Sequence, residues 1–304
     1  MEDKNLLLIV NPCSGKAKMH TNLLKVVEVF SKANYSVLVY PTKARGDATE
    51  YVKKINPESF NLIVVCGGDG TLNEVIEGMM EANISLPLGY IPAGTLNEWS
   101  SGLKISRNIK KAAEDIVNGQ EIKLDIGRFD DKYFSYTASF GAFTSASYST
   151  PQGIKNTLGK TAYFLSGVKE ITNIKPIYLK ITNGDDVYEG DFLFGAVSNS
   201  LSVGSVVKYD KIKVDLNDGL FEVILIRKPK NFTNYPALID GILKHNFDRK
   251  DMVFFRTDKL TFESKEEVAW TLDGEYAKGD KPITIENIHS AITFIVPKTT
   301  EKKE

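Results

Sequence analysis

Cysteine is nearly absent from this chain. Of its 304 residues only Cys13 and Cys66 carry a thiol, which is too few for a disulfide framework, so a reducing cytoplasm is the expected compartment. No apolar run approaches the roughly 20 residues that span a bilayer as a helix. The first residues, Met1 to Asn5, are acidic and polar, unlike the basic and then apolar start of a secretory signal. The formal net charge is only -1, so global charge calls for neither nucleic acid nor an anionic surface, although a local basic face would be invisible to that sum. Histidine is scarce too. His20, His245 and His289 share no spacing and have no carboxylate or cysteine cluster beside them, so they are expected as surface or cap residues rather than metal ligands. Two nucleotide motifs are also missing. Gly15-Lys16 is followed by Ala17, and Val10 stands where a Walker A loop needs its first glycine. Asn73 stands where a Rossmann fingerprint built on Gly68 and Gly70 needs its third.

What is present is ordinary folded-protein composition, 42% hydrophobic and 25% charged, in a chain long enough for two domains. Residues 6–10, 37–40, 62–65 and 88–91 read as short buried strands. Between them lie helical periodicities, with Leu23, Leu24, Val27 and Phe30 in the first, residues 48–55 (capped by Asp47) in the second and 71–80 in the third. Such alternation implies an α/β domain, an open and mostly parallel sheet with helices on both faces. Near Gln120 the texture changes. Short strand-like runs follow at 122–129, 133–139, 177–181, 191–198, 220–225, 259–263, 269–272 and 292–296, punctuated by turn signals such as Asn217-Asp218-Gly219 and interrupted by helical patterns at 160–171 and 235–244. The expected organisation is an α/β domain over 1–121, with the segment after about 290 free to return to it, and a β-rich domain over 122–297.

The strongest chemical signal is Val65-Cys66-Gly67-Gly68-Asp69-Gly70-Thr71. A buried strand ends in three glycines around an aspartate and leads into a helix. Glycines admit a ligand close to the backbone, and the helix N-terminus offers N–H groups to an anion. Asp69 would repel a bare phosphate, a conflict that a bound metal ion removes. The plainer alternative is a tight turn with a capping aspartate. Asn11-Pro12-Cys13-Ser14-Gly15 follows the first strand and Pro92-Ala93-Gly94-Thr95-Leu96-Asn97-Glu98 the fourth, so three glycine-bearing loops share the carboxyl edge where open α/β sheets bind ligands. Cys13 and Cys66 are accordingly expected near each other beside the ligand, so that a thiol-modifying reagent would block ligand binding and the ligand would protect. Lys155, Lys160 and Lys169 around Tyr163, Phe164 and Leu165 read either as a solvated helix face or as a membrane-facing basic-aromatic patch.

In that order, Asn11-Pro12-x-Ser14-Gly15, Gly67-Gly68-Asp69-Gly70-Thr71 and Pro92-x-Gly94-Thr95-x-Asn97 resemble the catalytic domain of bacterial diacylglycerol kinases and sphingosine kinases. The wider group includes NAD kinases and phosphofructokinases. The similarity continues through Leu124-Asp125-Ile126-Gly127, Asn217-Asp218-Gly219-Leu220 and Leu272-Asp273-Gly274-Glu275-Tyr276. It implies a nucleotide-binding α/β domain, a β-sandwich domain and an interdomain cleft. By position it implies ATP contacts from Asn11, Pro12, Cys13, Ser14, Gly15, Thr42, Gly68, Asp69, Gly70, Thr71, Leu72, Asn73, Glu74 and Thr95. It implies Glu275 as general base, with Asp273 its neighbouring alternative, and Asp69 as holder of the Mg2+ that accompanies ATP. It implies a structural magnesium at Asp215, Asp218 and Leu220, held by the Asp218 carboxylate and the Asp215 and Leu220 carbonyls, where the residues alone read equally well as a hairpin turn. Glu98 departs from the family's usual aspartate.

The implied activity is ATP-dependent phosphorylation of a lipid hydroxyl, diacylglycerol giving phosphatidic acid. That activity would require a cytoplasmic protein in peripheral contact with the membrane, without nucleic-acid partners; a homodimer stays open. A kinase of another lipid or of a soluble alcohol such as NAD is one alternative. A non-catalytic nucleotide-binding regulator is the other, and retention of both Asp69 and Glu275 argues against it.

Overall fold

Leu6, Leu7, Leu8 and Ile9 are all completely buried. Successive strand residues face opposite sides, so burying all four requires cover on both faces of the sheet. In the computed structural model, which describes residues 4–15, 18–94, 97–142, 174–200, 202–203, 207–208, 214–244, 246, 249–279 and 282–298, they form β1 (Lys4–Val10). The edge strand β2 (Tyr35–Pro41) and β3 (Leu62–Gly67) pair parallel with β1 on either side, and β4 (Leu88–Pro92) pairs parallel with β3. The connections are helical. They comprise α1 (Lys18–Lys32), α2 (Asp47–Val52), α3 (Asp69–Glu81), the short α4 (Glu98–Gly102) and α5 (Ile109–Asn118); α1 packs on α5 and α2 on α3.

The chain divides into two compact units, Met1–Leu124 with Ser290–Glu304, and Asp125–His289. The second is built of antiparallel strands: β5 (Gln120–Phe129), which begins in the first unit, β6 (Lys132–Phe134), β7 (Thr137–Gly141), β8 (Ile177–Asn183) and β9 (Asp186–Ser198). After the short pair β10 (Ser202–Val203) and β11 (Val207–Lys208) come β12 (Phe221–Arg227), helix α6 (Tyr235–Leu243), β13 (Met252–Thr257), β14 (Lys259–Glu263), β15 (Val268–Leu272) and β16 (Glu275–Gly279). The long β9 organises them, pairing with β8 along its first half and with β7 and β12 along its second. Phe140, Phe262 and Trp270 meet edge-to-face in the core, with ring centroids 4.9 to 5.9 Å apart. The last strand, β17 (Ile283–Val296), pairs with β14 through residues 283–286, and Phe294 then pairs parallel with Leu88 of β4 in the first unit. The first unit's strand order is therefore β2-β1-β3-β4-β17.

Local differences from the sequence expectation have physical causes. The strand expected over 133–139 is two strands, because the Ser135, Tyr136 and Thr137 amides turn onto the Asp273 carboxylate instead of a neighbouring strand. Helix α2 is capped by Gly46 in a left-handed conformation rather than by Asp47, which lies inside the helix and accepts from the Lys43 amide. The helix expected at 160–171 lies outside the described residues, as does the 155–169 basic-aromatic patch. Replacing Trp270 by alanine should cost about 3–5 kcal/mol, because the cavity would open among three other aromatic rings. Equilibrium denaturation checks this, and an unchanged midpoint would mean the cluster relaxes around the loss.

Candidate active site

Three strand ends meet in the first unit. The Asn11 amide bonds to the Cys66 carbonyl at 2.9 Å, which joins the end of β1 to the end of β3. The Asn11 side chain then works in both directions. Its Nδ2 donates to Thr71 Oγ1 at 3.0 Å in the first turn of α3, and its Oδ1 accepts from the Cys13 amide at 3.0 Å. Gly15 closes the loop with φ 61°, and a Cβ there would stand 2.1 Å from the Ala93 carbonyl oxygen. A Cβ on Gly94 would stand 2.7 Å from both Gly68 Cα and Asn97 Oδ1. The three loops thus pack backbone against backbone.

Beneath them lies Tyr90, fully buried on β4. Its hydroxyl is within reach of three oxygens, the Gly67 carbonyl at 3.3 Å, Asp69 Oδ1 at 3.4 Å and Asn97 Oδ1 at 3.2 Å. Burial, reinforced by the Asp69 charge, pushes the phenol far above its ordinary range, so it stays a neutral donor. Asn97, with φ 48°, donates to the Gly94 carbonyl at 2.8 Å and so fastens the β4 loop. Asp69 opens α3 behind Gly68, whose N-cap position has no side-chain cap. Beside it Gly70 is exposed, with no atom within 4 Å of where its Cβ would be. A helix N-terminus without a side-chain cap, and open at Gly70, suits a phosphate.

The other expected nucleotide residues separate. Pro12, Cys13 and Ser14 lie in the β1 loop, with the Ser14 amide turned back to the Asn11 carbonyl. The Thr42 amide continues the β2 ladder to the Val10 carbonyl. Asn73 is half-buried on α3. Leu72 turns inward. Its side chain is completely buried and its amide bonds to Gly68, so it belongs to the core. The Glu74 carboxylate accepts from the Gly46 amide at 2.9 Å and the Ala48 amide at 3.3 Å, so it holds the β2–α2 loop. Thr95 and the Glu98 side chain lie outside the described residues. The two thiols are also unlike each other. Cys13 is exposed, whereas Cys66 is buried and its pKa is pushed up to about 12 by that burial.

In the second unit, β15 and β16 are joined by Asp273-Gly274, both with positive φ (50° and 90°), which is a two-residue type I′ hairpin. Asp273 does not present its carboxylate. It accepts from the Ser135, Tyr136 and Thr137 amides at 2.5, 3.0 and 2.9 Å. It is the anchor of the turn, and Glu275, directly after it and opposite Leu272, is the exposed carboxylate.

The 215–220 turn does not fit a magnesium ion as it is arranged. Asp218 pairs with the Arg256 guanidinium and accepts from the Leu220 amide at 3.0 Å, while Asp215 accepts from the Asn217 amide at 3.1 Å. A dication on Asp218 would lie against that guanidinium. Among the described residues no three His, Cys, Asp or Glu side chains gather as a metal site. The turn is held from elsewhere. Fully buried Asp125 accepts from the Gly219 amide at 2.7 Å and from His289 Nδ1 at 3.0 Å, and Asn199 Nδ2 donates to the Asp125 and Leu216 carbonyls at 2.9 and 3.2 Å. His289 is exposed, as expected of a surface residue, and its ring is tied to that buried carboxylate. His245 and the His20 side chain lie outside the described residues.

A family model described as the diacylglycerol kinase catalytic domain matches residues 5–129. Over its whole length the chain is similar to the diacylglycerol kinase of Bacillus subtilis (strain 168), 31% identical over 305 positions that cover 99% of this chain and 98% of that protein. The chain belongs to the diacylglycerol kinase family. The diacylglycerol kinase of Staphylococcus carnosus (strain TM300) is 29% identical over 99% of this chain and 98% of its own. Among solved structures, a diacylglycerol kinase from Bacillus anthracis str. Sterne superposes with a TM-score of 0.76 at 25% identity, over 98% of each chain. As a member of the diacylglycerol kinase family the protein is a kinase, a phosphoryl transferase. Sequence reading had given no role to Tyr90, Asp125, Asn199 or Arg256. An aspartate inside the apolar run of β5 was the one available signal. At pH 8 an alkylating reagent should label Cys13 and leave Cys66 untouched until the protein is unfolded, as peptide mass mapping would show; equal labelling of both in the native state would contradict the burial of Cys66.

Proposed function

We propose that this kinase transfers the γ-phosphoryl group of MgATP to the hydroxyl of a lipid, with diacylglycerol as the acceptor. The observation that carries the nucleotide reading is the backbone-to-backbone packing of the Gly15, Gly68 and Gly94 loops around the N-terminus of α3. Phosphate oxygens would accept from the amides of that turn, with Gly70 leaving room, and Asn11 and Thr71 keeping the β1 loop in register. Asp69 would receive the magnesium of the nucleotide, directly or through water. Tyr90, a permanent donor, fixes the carboxylate.

Glu275 is the proposed base. It takes the proton of the acceptor hydroxyl as that oxygen forms its bond to the γ-phosphorus and the bond from phosphorus to the β–γ bridging oxygen breaks, releasing ADP. Phosphoryl transfer asks for positioning and charge neutralisation more than for covalent help, and a carboxylate with an ordinary pKa of about 4.3 is ionised at neutral pH. The lipid acceptor rests on the family membership. It makes contact with a lipid surface part of the function, because among the described residues no helix is long and apolar enough to cross a membrane.

Gly70→Ala separates folding from binding. Its Cβ meets no atom, and alanine in a helix is favoured over glycine by about 0.5–1 kcal/mol, so the variant should be at least as stable as the parent. Its methyl group would enter the phosphate space, so nucleotide affinity by calorimetry should fall by about tenfold or more, taking ~1.4 kcal/mol as one decade. Undiminished affinity would move the phosphates elsewhere.

Glu275→Gln keeps the size and removes the base. Turnover of radiolabelled ATP into diacylglycerol in mixed micelles should drop by about 10²–10⁴-fold with ATP affinity nearly unchanged. Near-normal turnover would refute the assignment, and label appearing only on other lipids of a panel would replace the acceptor.

A further inference from the structure

Phe232 is 74% exposed, more than any other aromatic among the described residues. It does not hang free. It opens a short helical turn, Phe232–Asn234, that leads straight into α6, and its ring rests on Tyr235 at 5.4 Å. Tyr235 is itself buried with Leu238 and Ile242 in the unit's second core. The outward side of the same segment carries no charge from 231 to 237: Pro236, four residues after Phe232, and Ala237 are exposed together with the uncharged Asn231, Thr233 and Asn234. Its one exposed acid, Asp240, is neutralised by Lys244 at 2.8 Å. A surface helix of a water-soluble domain ordinarily turns a charged face outward.

The approach to this uncharged face is basic. Lys228 and Lys230 are exposed and Pro229 between them is buried, so both lysines point away from the core. Neither forms an ion pair among the described residues, and the base of the loop is fixed by the Lys228 amide on the Asp191 carbonyl at 2.9 Å and the Arg227 amide on the Asp251 carbonyl at 2.8 Å. A rigid, exposed aromatic tip edged by lysines is the composition that seats a protein in the headgroup layer of a membrane.

We propose that residues 228–237 are the docking element for an anionic lipid surface. Phe232 enters the boundary between headgroups and acyl chains, and Lys228 and Lys230 contact the phosphates. Charge decides against a second copy of the chain as occupant, since a two-fold interface sets the same patch against itself and would gather the four lysines together. The proposal deepens the lipid-acceptor reading and rests on it, but its test uses no turnover.

The native tryptophans, Trp99 and Trp270, are both buried, so Phe232→Trp adds an exposed reporter. Its emission should shift to the blue with vesicles of phosphatidylcholine containing phosphatidylglycerol, and much less with phosphatidylcholine alone. In co-sedimentation, Lys228→Glu with Lys230→Glu should weaken binding by about fivefold or more per residue, and Phe232→Ser by about tenfold. Vesicle binding that persists in a preparation inactive on every lipid in micelles would support the docking element while refuting the acceptor. Emission that ignores anionic vesicles, or a dimer in sedimentation velocity that Phe232→Ser dissociates while vesicle binding is unchanged, would overturn the proposal.

Discussion

A side chain at Gly15 would come within 2.1 Å of the Ala93 carbonyl oxygen, and one at Gly94 within 2.7 Å of Gly68. Three loops from three parallel strands can share one small volume only if none carries a Cβ at the point of contact. The rest of the first unit serves that approach. The register of β1 against β3, with Val10 opposite Cys66, and of β3 against β4, with Gly67 opposite Pro92, brings the three strand ends level. The Ala93 amide on the Gly67 carbonyl at 2.7 Å carries the pairing one residue beyond the strand. Burial of β3, β4 and residues 6–10 of β1 then makes this edge stiff, because any shift would have to drag packed side chains on both faces.

A stiff cradle of glycines would be a weak electrostatic device without the buried phenol beneath it. Tyr90 has one proton and three acceptors within 3.4 Å. It cannot ionise in that setting, so it can serve Asp69, Asn97 or the Gly67 carbonyl, one at a time. That arrangement couples the β4 loop to the aspartate at the start of α3. When the charge near Asp69 changes, the hydroxyl can turn towards Asn97 or away from it without any backbone movement. Asn97 in turn donates to the Gly94 carbonyl, so the phenol, the asparagine and the loop that lies against Gly68 form one hydrogen-bonded chain.

The strands of the first unit were legible because they hold short apolar runs ended by turn residues, Asn11-Pro12 after β1, Gly67-Gly68 at the end of β3 and Pro92-Ala93-Gly94 at the end of β4; β1, β3, α3 and β4 lie within a few residues of where periodicity puts them. The second unit was harder. Ser135 and Tyr136 look like strand residues in a run of alternating character, and nothing local reveals that their amides are taken by a carboxylate 137 or 138 positions away. β13 and β16 went unread for a similar reason. Met252–Thr257 carries an arginine, and Glu275–Gly279 is mostly exposed, so neither shows the apolar pattern that periodicity detects. Glycine loops were visible from composition, whereas the roles of Glu74 and Leu72 within the same helix were not, since burial and partner choice depend on α2 packing across them.

Carboxylates show most clearly what separates a motif from a site. Leu272-Asp273-Gly274-Glu275 holds two acids one residue apart, and residue type alone makes either a base. Asp273 is consumed by three amides, an arrangement that needs the positive φ of both hairpin residues, and the cost of that backbone is met by the hydrogen bonds. Glu275 inherits a fixed backbone and keeps its side chain outward. The same division recurs elsewhere. Glu74 is taken by the Gly46 and Ala48 amides, while Asp69 on the same helix lies 3.4 Å from the Tyr90 hydroxyl. Asp125 is taken by the Gly219 amide and His289, and Asp218 by Arg256 and the Leu220 amide. An acid already satisfied by strong, fixed donors would have to lose them to act on a ligand. Hydrogen-bond accounting therefore identifies Asp273, Glu74, Asp125 and Asp218 as acids the fold already uses as anchors, a division that the motifs alone could not make.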